Sequence, residues 1–206
     1  MKLRALLVIA LVSGLLLVAP QRSWATNPDA AAGLIQALGD RALSTLQQAN
    51  LSLTEREAAF GDILREGFDL HLIARFVLGK YWKQASPDQR NDYLRAFSDY
   101  VILTYARRLG GFSGQSFAIT GTKVSGEKKD VLVGTRIDRP NAAPIQAAWR
   151  VREIDGMHRI IDVMVEGVSM AVTQRQEFSS IARRNGIEGL VQILRAQTEK
   201  LSAASG

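Results

Sequence analysis

The sequence predicts an α+β fold: a four-stranded antiparallel sheet with helices packed on one face. Three observations predict it. Between Ser116 and Val165, apolar residues recur at every second position, the period of a half-buried strand. On both sides of that region they recur every third or fourth position, the period of an amphipathic helix. Turn signals separate the alternating stretches, and short connections join antiparallel neighbours.

The elements follow in order. Asn27 to Ala49 carries Leu34, Ile35, Leu38, Ala42 and Leu46 at helical spacing, with Asn27 or Asp29 as cap. Ser52 or Thr54 opens a second helix, Glu55 to Arg65, with Phe60, Ile63 and Leu64 inward. Asp69 caps a third, Leu70 to Leu78, and Gly79 closes it. Ser86-Pro87-Asp88 starts the next, with proline in the first turn. Along it Tyr93, Phe97, Tyr100, Val101, Thr104 and Tyr105 form one stripe, expected to face Phe117, Val133 and Trp149 of the sheet. Leu109-Gly110-Gly111 stops it, and the glycine-rich stretch to Gly114 reads as a loop.

Phe117 and Ile119 mark the first strand. Val131, Val133, Thr135 and Ile137 mark the second, and Ile145, Ala147, Trp149 and Val151 the third. Ile161, Val163 and Val165 give the fourth strand its apolar face. The alternate faces carry Arg136, Asp138, Gln146, Arg150, Arg152 and Asp162, as expected where one face of the sheet is wet. Residues 125–129, 140–144 and Asp155-Gly156 read as the turns. Arg136, Arg150 and Arg152 should then form an exposed positive patch. The fourth strand hands over to a helix within a few residues. Gly167 breaks it, and Met170, Thr173, Gln174, Phe178 and Ile181 resume helical spacing. The two apolar faces can line one cavity, and alternation sends Asp162 and Glu166 to solvent. A final helix carries Ile187, Leu190, Val191, Leu194 and Leu201 in register.

Residues 1–25 have the form of a secretory signal. Lys2 and Arg4 precede an unbroken apolar and small run from Leu6 to Ala19, and Ser23-Trp24-Ala25 offers a cleavage site. The run is shorter than the roughly 18–20 residues that span a bilayer. The expectation is an exported, soluble chain of one domain, residues 26–206. Three of the 26 basic residues (Lys2, Arg4 and Arg22) lie in the signal, so the remainder carries 23 against 20 acidic, a net +3. With no basic run longer than two, a nucleic-acid partner is not expected. The absence of cysteine rules out disulfides, thiolate metal sites and a thiol nucleophile. The two histidines, His71 and His158, show no metal-ligand spacing. No nucleophile elbow, Walker loop or dinucleotide glycine pattern appears, so no catalytic residue, metal or cofactor is expected.

Two stretches carry a resemblance. The first is Phe68-Asp69, Ala74, Leu78-Gly79 and Trp82. The second is Asp162-Val163-Met164-Val165-Glu166-Gly167-Val168-Ser169 with Arg175, Glu177 and Phe178 downstream. Their order, the signal and Gly186-x-x-Gly189-Leu190 are similar to the MlaC family of periplasmic lipid-binding proteins, also called toluene-tolerance auxiliary transport proteins. Gln174 departs from the tyrosine that members often have before the arginine.

The resemblance implies a nuclear-transport-factor-like cone holding phospholipid tails in its interior. It implies a carrier that shuttles lipid across the periplasm between an outer-membrane lipoprotein complex and an inner-membrane ABC transporter with an MCE-domain subunit. A branch associated with hopanoid producers makes a polycyclic lipid the alternative ligand. On this reading the tails contact Phe76, Tyr81, Tyr100, Val101, Tyr105, Val133, Trp149, Val163, Val165, Met170, Phe178 and Ile181. Two rival readings remain: an enzyme on the same scaffold, which needs an acid or histidine in the cavity, and an adaptor with a filled core.

Overall fold

The computed structural model describes residues 26–48, 50–110, 115–127, 130–140 and 142–203. The expected signal (1–25), the loop at 111–114 and parts of two expected turns (128–129 and 141) lie outside the described residues. The fold is α+β. Helices α1 (Pro28–Gln47), α2 (Leu53–Gly67), α3 (Leu70–Leu78), α4 (Lys80–Gln84) and α5 (Pro87–Gly110) precede the sheet. Strands β1 (Ser116–Ser125), β2 (Asp130–Arg139), β3 (Ala142–Ile154), β4 (Met157–Val165) and β5 (Val168–Ser169) follow, and α6 (Met170–Ala203) closes the chain.

The helix starts are set by side-chain caps. Asn27 Oδ1 accepts from the amides of Asp29 (2.9 Å) and Ala30 (3.3 Å), with Pro28 at the first helical position. Ser52 and Glu55 form a reciprocal capping box on α2. Asp69 accepts from the Leu72 amide at 2.7 Å and opens α3. Ser86 and Gln89 cap α5 the same way, through amide bonds of 3.2 and 2.9 Å. Gly79 takes φ 60° between α3 and α4, a conformation that strains any residue with a Cβ. The short α4 after Gly79 was not expected from the sequence.

The sheet is an antiparallel meander in the order β1-β2-β3-β4-β5. It has five strands rather than four, because β4 turns back at Glu166-Gly167 into a two-residue strand. Glu166 (φ 49°) and Gly167 (φ 80°) form that turn, and Asp155 (φ 50°) and Gly156 (φ 78°) form the β3–β4 turn. Both central residues having positive φ is the two-residue turn whose twist matches that of the strands.

Register corrects the reading of the fourth strand. Arg150 pairs with Asp162 but Val151 pairs with Ile160, so Ile161 is the extra residue of a bulge. Ile160, at 1 % exposure, therefore takes the core place expected of Ile161.

The outer-face arginines do not form a free patch. Asp130, 2 % exposed, accepts from Arg152 Nε (2.7 Å) and Nη2 (2.8 Å), with Arg150 Nη1 at 3.7 Å. Arg136 bonds Asp138 at 2.8 Å. The aromatic stripe of α5 also divides. Tyr93, Phe97 and Tyr100 pack against α3 and α6, with Phe97 and Phe178 edge to face at 6.1 Å. The buried Tyr93 hydroxyl donates to the Ala74 carbonyl, and burial pushes its pKa up, so it stays neutral. Phe97 also reaches the space that faces the sheet, together with Val101 and Tyr105. α6 is interrupted at Gly186 (φ 70°, ψ −178°), which separates the two closing helices read from the sequence.

The buried apolar residues fall into three clusters. One joins α3, α5 and α6, one joins α1 to the sheet, and a small one gathers Phe60, Ile63 and Ala106. Space remains between them.

Candidate functional site

That space is a cavity of about 370 Å³ whose wall draws on all three clusters. Ile35, Leu38, Ala42 and Leu46 enter from α1, and Phe60, Ile63 and Leu64 from α2. Ile73 and Val77 of α3 and Phe97, Val101 and Tyr105 of α5 form the opposite side. The sheet contributes Phe117, Ile137, Ile145, Ala147, Trp149, Ile160, Val163 and Val165, and α6 contributes Met170, Ala171 and Gln174.

Several polar atoms in this wall already have hydrogen-bond partners. Trp149 Nε1 donates to Thr135 Oγ1 at 2.9 Å, and that hydroxyl donates to the Ala147 carbonyl at 3.3 Å. The indole is thereby held on the sheet, with Phe68 edge-on at 6.4 Å. Asp162 is half-buried rather than solvated, which corrects the expectation from alternation. Its carboxylate accepts from Ser169 Oγ (2.6 Å) and the Ala171 amide (3.1 Å), and so caps α6. Glu166 is exposed as expected, and accepts from the Gln146 amide at 2.8 Å. Burial pushes the Tyr105 hydroxyl's pKa up, keeping it neutral.

Of the twelve residues expected to meet the tails, Val101, Tyr105, Trp149, Val163, Val165 and Met170 line the cavity. The other six lie elsewhere. Val133 is fully buried in the cluster between α1 and the sheet. Phe178, Tyr100 and Ile181 pack into the α3–α5–α6 cluster on the faces those helices turn to each other, and Tyr81 packs against it from α4. Phe76 is 42 % exposed on the outside, where the Arg175 guanidinium lies 4.9 Å above its ring. A Cβ on Gly79 would stand 3.1 Å from Nε of the same guanidinium, so the two quoted sequence stretches meet at Arg175.

Sequence reasoning missed the contribution of α1 and α2. Their apolar stripes were visible, but nothing local distinguishes a stripe that packs from one that faces space.

A second concavity of about 400 Å³ is lined by Arg65, Asp69, His71, Asp99 and Arg159 around Phe68 and Leu70. Charged groups of both signs form much of its wall, so it does not solvate an apolar guest. No group of three or more His, Cys, Asp or Glu placed to hold a metal occurs among the described residues. Nor is any described helix long and apolar enough to cross a membrane.

In comparisons with known proteins, residues 36–196 match the family described as MlaC protein. The chain is 26% identical over 165 residues to the "Intermembrane phospholipid transport system binding protein MlaC" of Haemophilus influenzae, covering 77% of each. It is 24% identical over 129 residues to the "Toluene tolerance protein ttg2D" of Pseudomonas putida, covering 62% of this chain and 60% of the relative. The fold is similar to the solved structure of a phospholipid-binding protein from Ralstonia solanacearum in complex with a phospholipid. The TM-score is 0.72 at 22% identity, over 84% of this chain and 98% of that one.

Proposed function

This chain belongs to the MlaC protein family, and from that premise we propose that it is a non-enzymatic lipid carrier that shields phospholipid acyl chains in its apolar cavity. The cavity carries the reading. An apolar wall around a space of about 370 Å³ gives water few hydrogen-bonding partners, so the space favours an apolar guest. An acyl chain gains from the same wall, since each methylene removed from water contributes about 0.8 kcal/mol.

The relatives' names support the phospholipid: one belongs to an intermembrane phospholipid transport system, and the structural neighbour holds a phospholipid. On this reading residues 26–206 form one lipid-binding domain, exported to the periplasm behind residues 1–25. It moves lipid between an outer-membrane lipoprotein complex and an inner-membrane ABC transporter with an MCE-domain subunit. Binding rather than catalysis fits the lining: its one carboxylate among the described residues, Asp162, is committed to capping α6. Val101, Tyr105, Trp149, Val163, Val165 and Met170 are the tail contacts.

The test is native mass spectrometry of the mature chain purified from its own cells, followed by lipid extraction. The expected result is phospholipid bound in near-stoichiometric amount. A chain that carries no lipid overturns the reading. A bound polycyclic lipid replaces the ligand while keeping the carrier.

A further inference from the structure

The polar members of the cavity wall are not scattered. Arg139 is the last residue of β2, and Gln115 directly precedes β1. Ser116 pairs with Asp138, so continuing the antiparallel register by one residue sets Gln115 opposite Arg139. Both line the cavity at the end of the sheet where β1 and β3 begin and β2 and β4 end.

Arg139 is held but not neutralised. Its Nε (3.0 Å) and Nη2 (2.6 Å) both donate to the Ala143 carbonyl, and no carboxylate pairs with it among the described residues. The acids of this end are bonded elsewhere. Asp138 accepts from Arg136 and Ser116, Glu166 from the Gln146 amide, and Glu177 from Gln174. The side-chain oxygen of Gln115 is buried without a hydrogen-bond partner among the described residues.

We propose that Arg139, with Gln115 beside it, is a head-group subsite that takes the phosphate of the bound lipid. The inference rests on the carrier reading and adds which residues hold the phosphate of that lipid. A guanidinium already fixed by a carbonyl presents its remaining N–H donors without further ordering, and its planar fork matches phosphate oxygens. Placed at the polar end of an apolar cavity, it orients the lipid with its chains inward. The Gln115 amide supplies a further polar contact to the ester or glycerol oxygens. A neutral polycyclic lipid gains nothing from the charge and leaves it desolvated.

The experiment measures uptake by the delipidated full mature chain from mixed detergent micelles. The probes are phosphatidylglycerol and diacylglycerol with the same chains, offered in competition. Wild type should prefer phosphatidylglycerol by on the order of tenfold, the factor one charge-assisted hydrogen bond supplies. Arg139→Gln should bring the ratio close to one, and Arg139→Lys should restore part of it, with melting curves showing that both variants fold. An unchanged ratio in Arg139→Gln overturns the subsite. Equal uptake of both lipids by wild type overturns it too, while leaving the carrier standing. Uptake of neither overturns the carrier reading and the subsite with it. Millimolar inorganic phosphate should not alter the preference. If it abolishes it, the site belongs to free phosphate and the lipid assignment is overturned.

Discussion

Filling the cavity should separate its two roles, as a cost to the fold and as a seat for the ligand. Val101 projects from α5 into the wall, flanked one turn away by Phe97 and Tyr105, which also line it. Replacing it by tryptophan puts a larger apolar side chain into a space of about 370 Å³. A tryptophan buries about 150–250 Å², or about 4–6 kcal/mol at 25 cal/mol per Å². The valine it replaces contributes about 1.5–3 kcal/mol. After the cost of ordering the ring, a net gain of about 2 kcal/mol is expected in the delipidated protein, a rise of roughly 4–8 °C in Tm. The lipid should lose what the fold gains. Displacing about four methylenes removes about 3 kcal/mol of binding, on the order of a hundredfold in affinity. Differential scanning calorimetry of the delipidated forms reads the first effect, and extracted lipid per chain the second. A Val101→Trp protein that loads lipid like wild type, and melts lower as an overpacked core does, refutes the cavity as the lipid seat.

Asp162→Ala removes the acceptor of both Ser169 Oγ and the Ala171 amide. It should cost about 2–4 kcal/mol in urea unfolding, against a smaller loss in Asp162→Asn. Arg152→Glu places a carboxylate against the buried Asp130 and strips it of its bidentate partner. A loss of about 3–5 kcal/mol is expected there. Arg136→Glu, whose exposed pair with Asp138 is solvated, should cost less than about 1 kcal/mol by the same measurement.

Local chemistry made most of the elements legible. Asn27, Ser52, Asp69 and Ser86 sit where their side chains satisfy the first free amides of a helix; Asp69 and Ser86 are the expected caps, and Asn27 and Ser52 take the place over the alternatives Asp29 and Thr54. The alternation in residues 131–165 located three of the strands, because a half-buried strand must alternate whatever surrounds it. The Asp155-Gly156 turn was equally plain, since few residues accept two successive positive φ values.

What depended on tertiary packing was which buried residues meet space and which meet other side chains. Phe178 and Trp149 look alike in the sequence, as single aromatics on apolar stripes. Phe178 is closed over by Phe97 and Tyr100, whereas Trp149 is pinned by Thr135 with its ring toward the cavity. A stripe's period states that a face is apolar, but not what stands opposite it, because that is set by elements far away in the chain. The same holds for charge. Arg152 reads as a wet residue on an alternating strand, and only the β2–β3 register brings it to Asp130. The bulge at Ile161 shifts one residue against its neighbours, and so gives Ile160 the core place that alternation alone assigns to Ile161. The starts of the long helices and the apolar faces of most strands follow from neighbours a few residues away, whereas the short α4 and β5 do not. The cavity, its six predicted wall residues and the placing of Gln115 opposite Arg139 were decided by contacts across tens of residues, which no local pattern records.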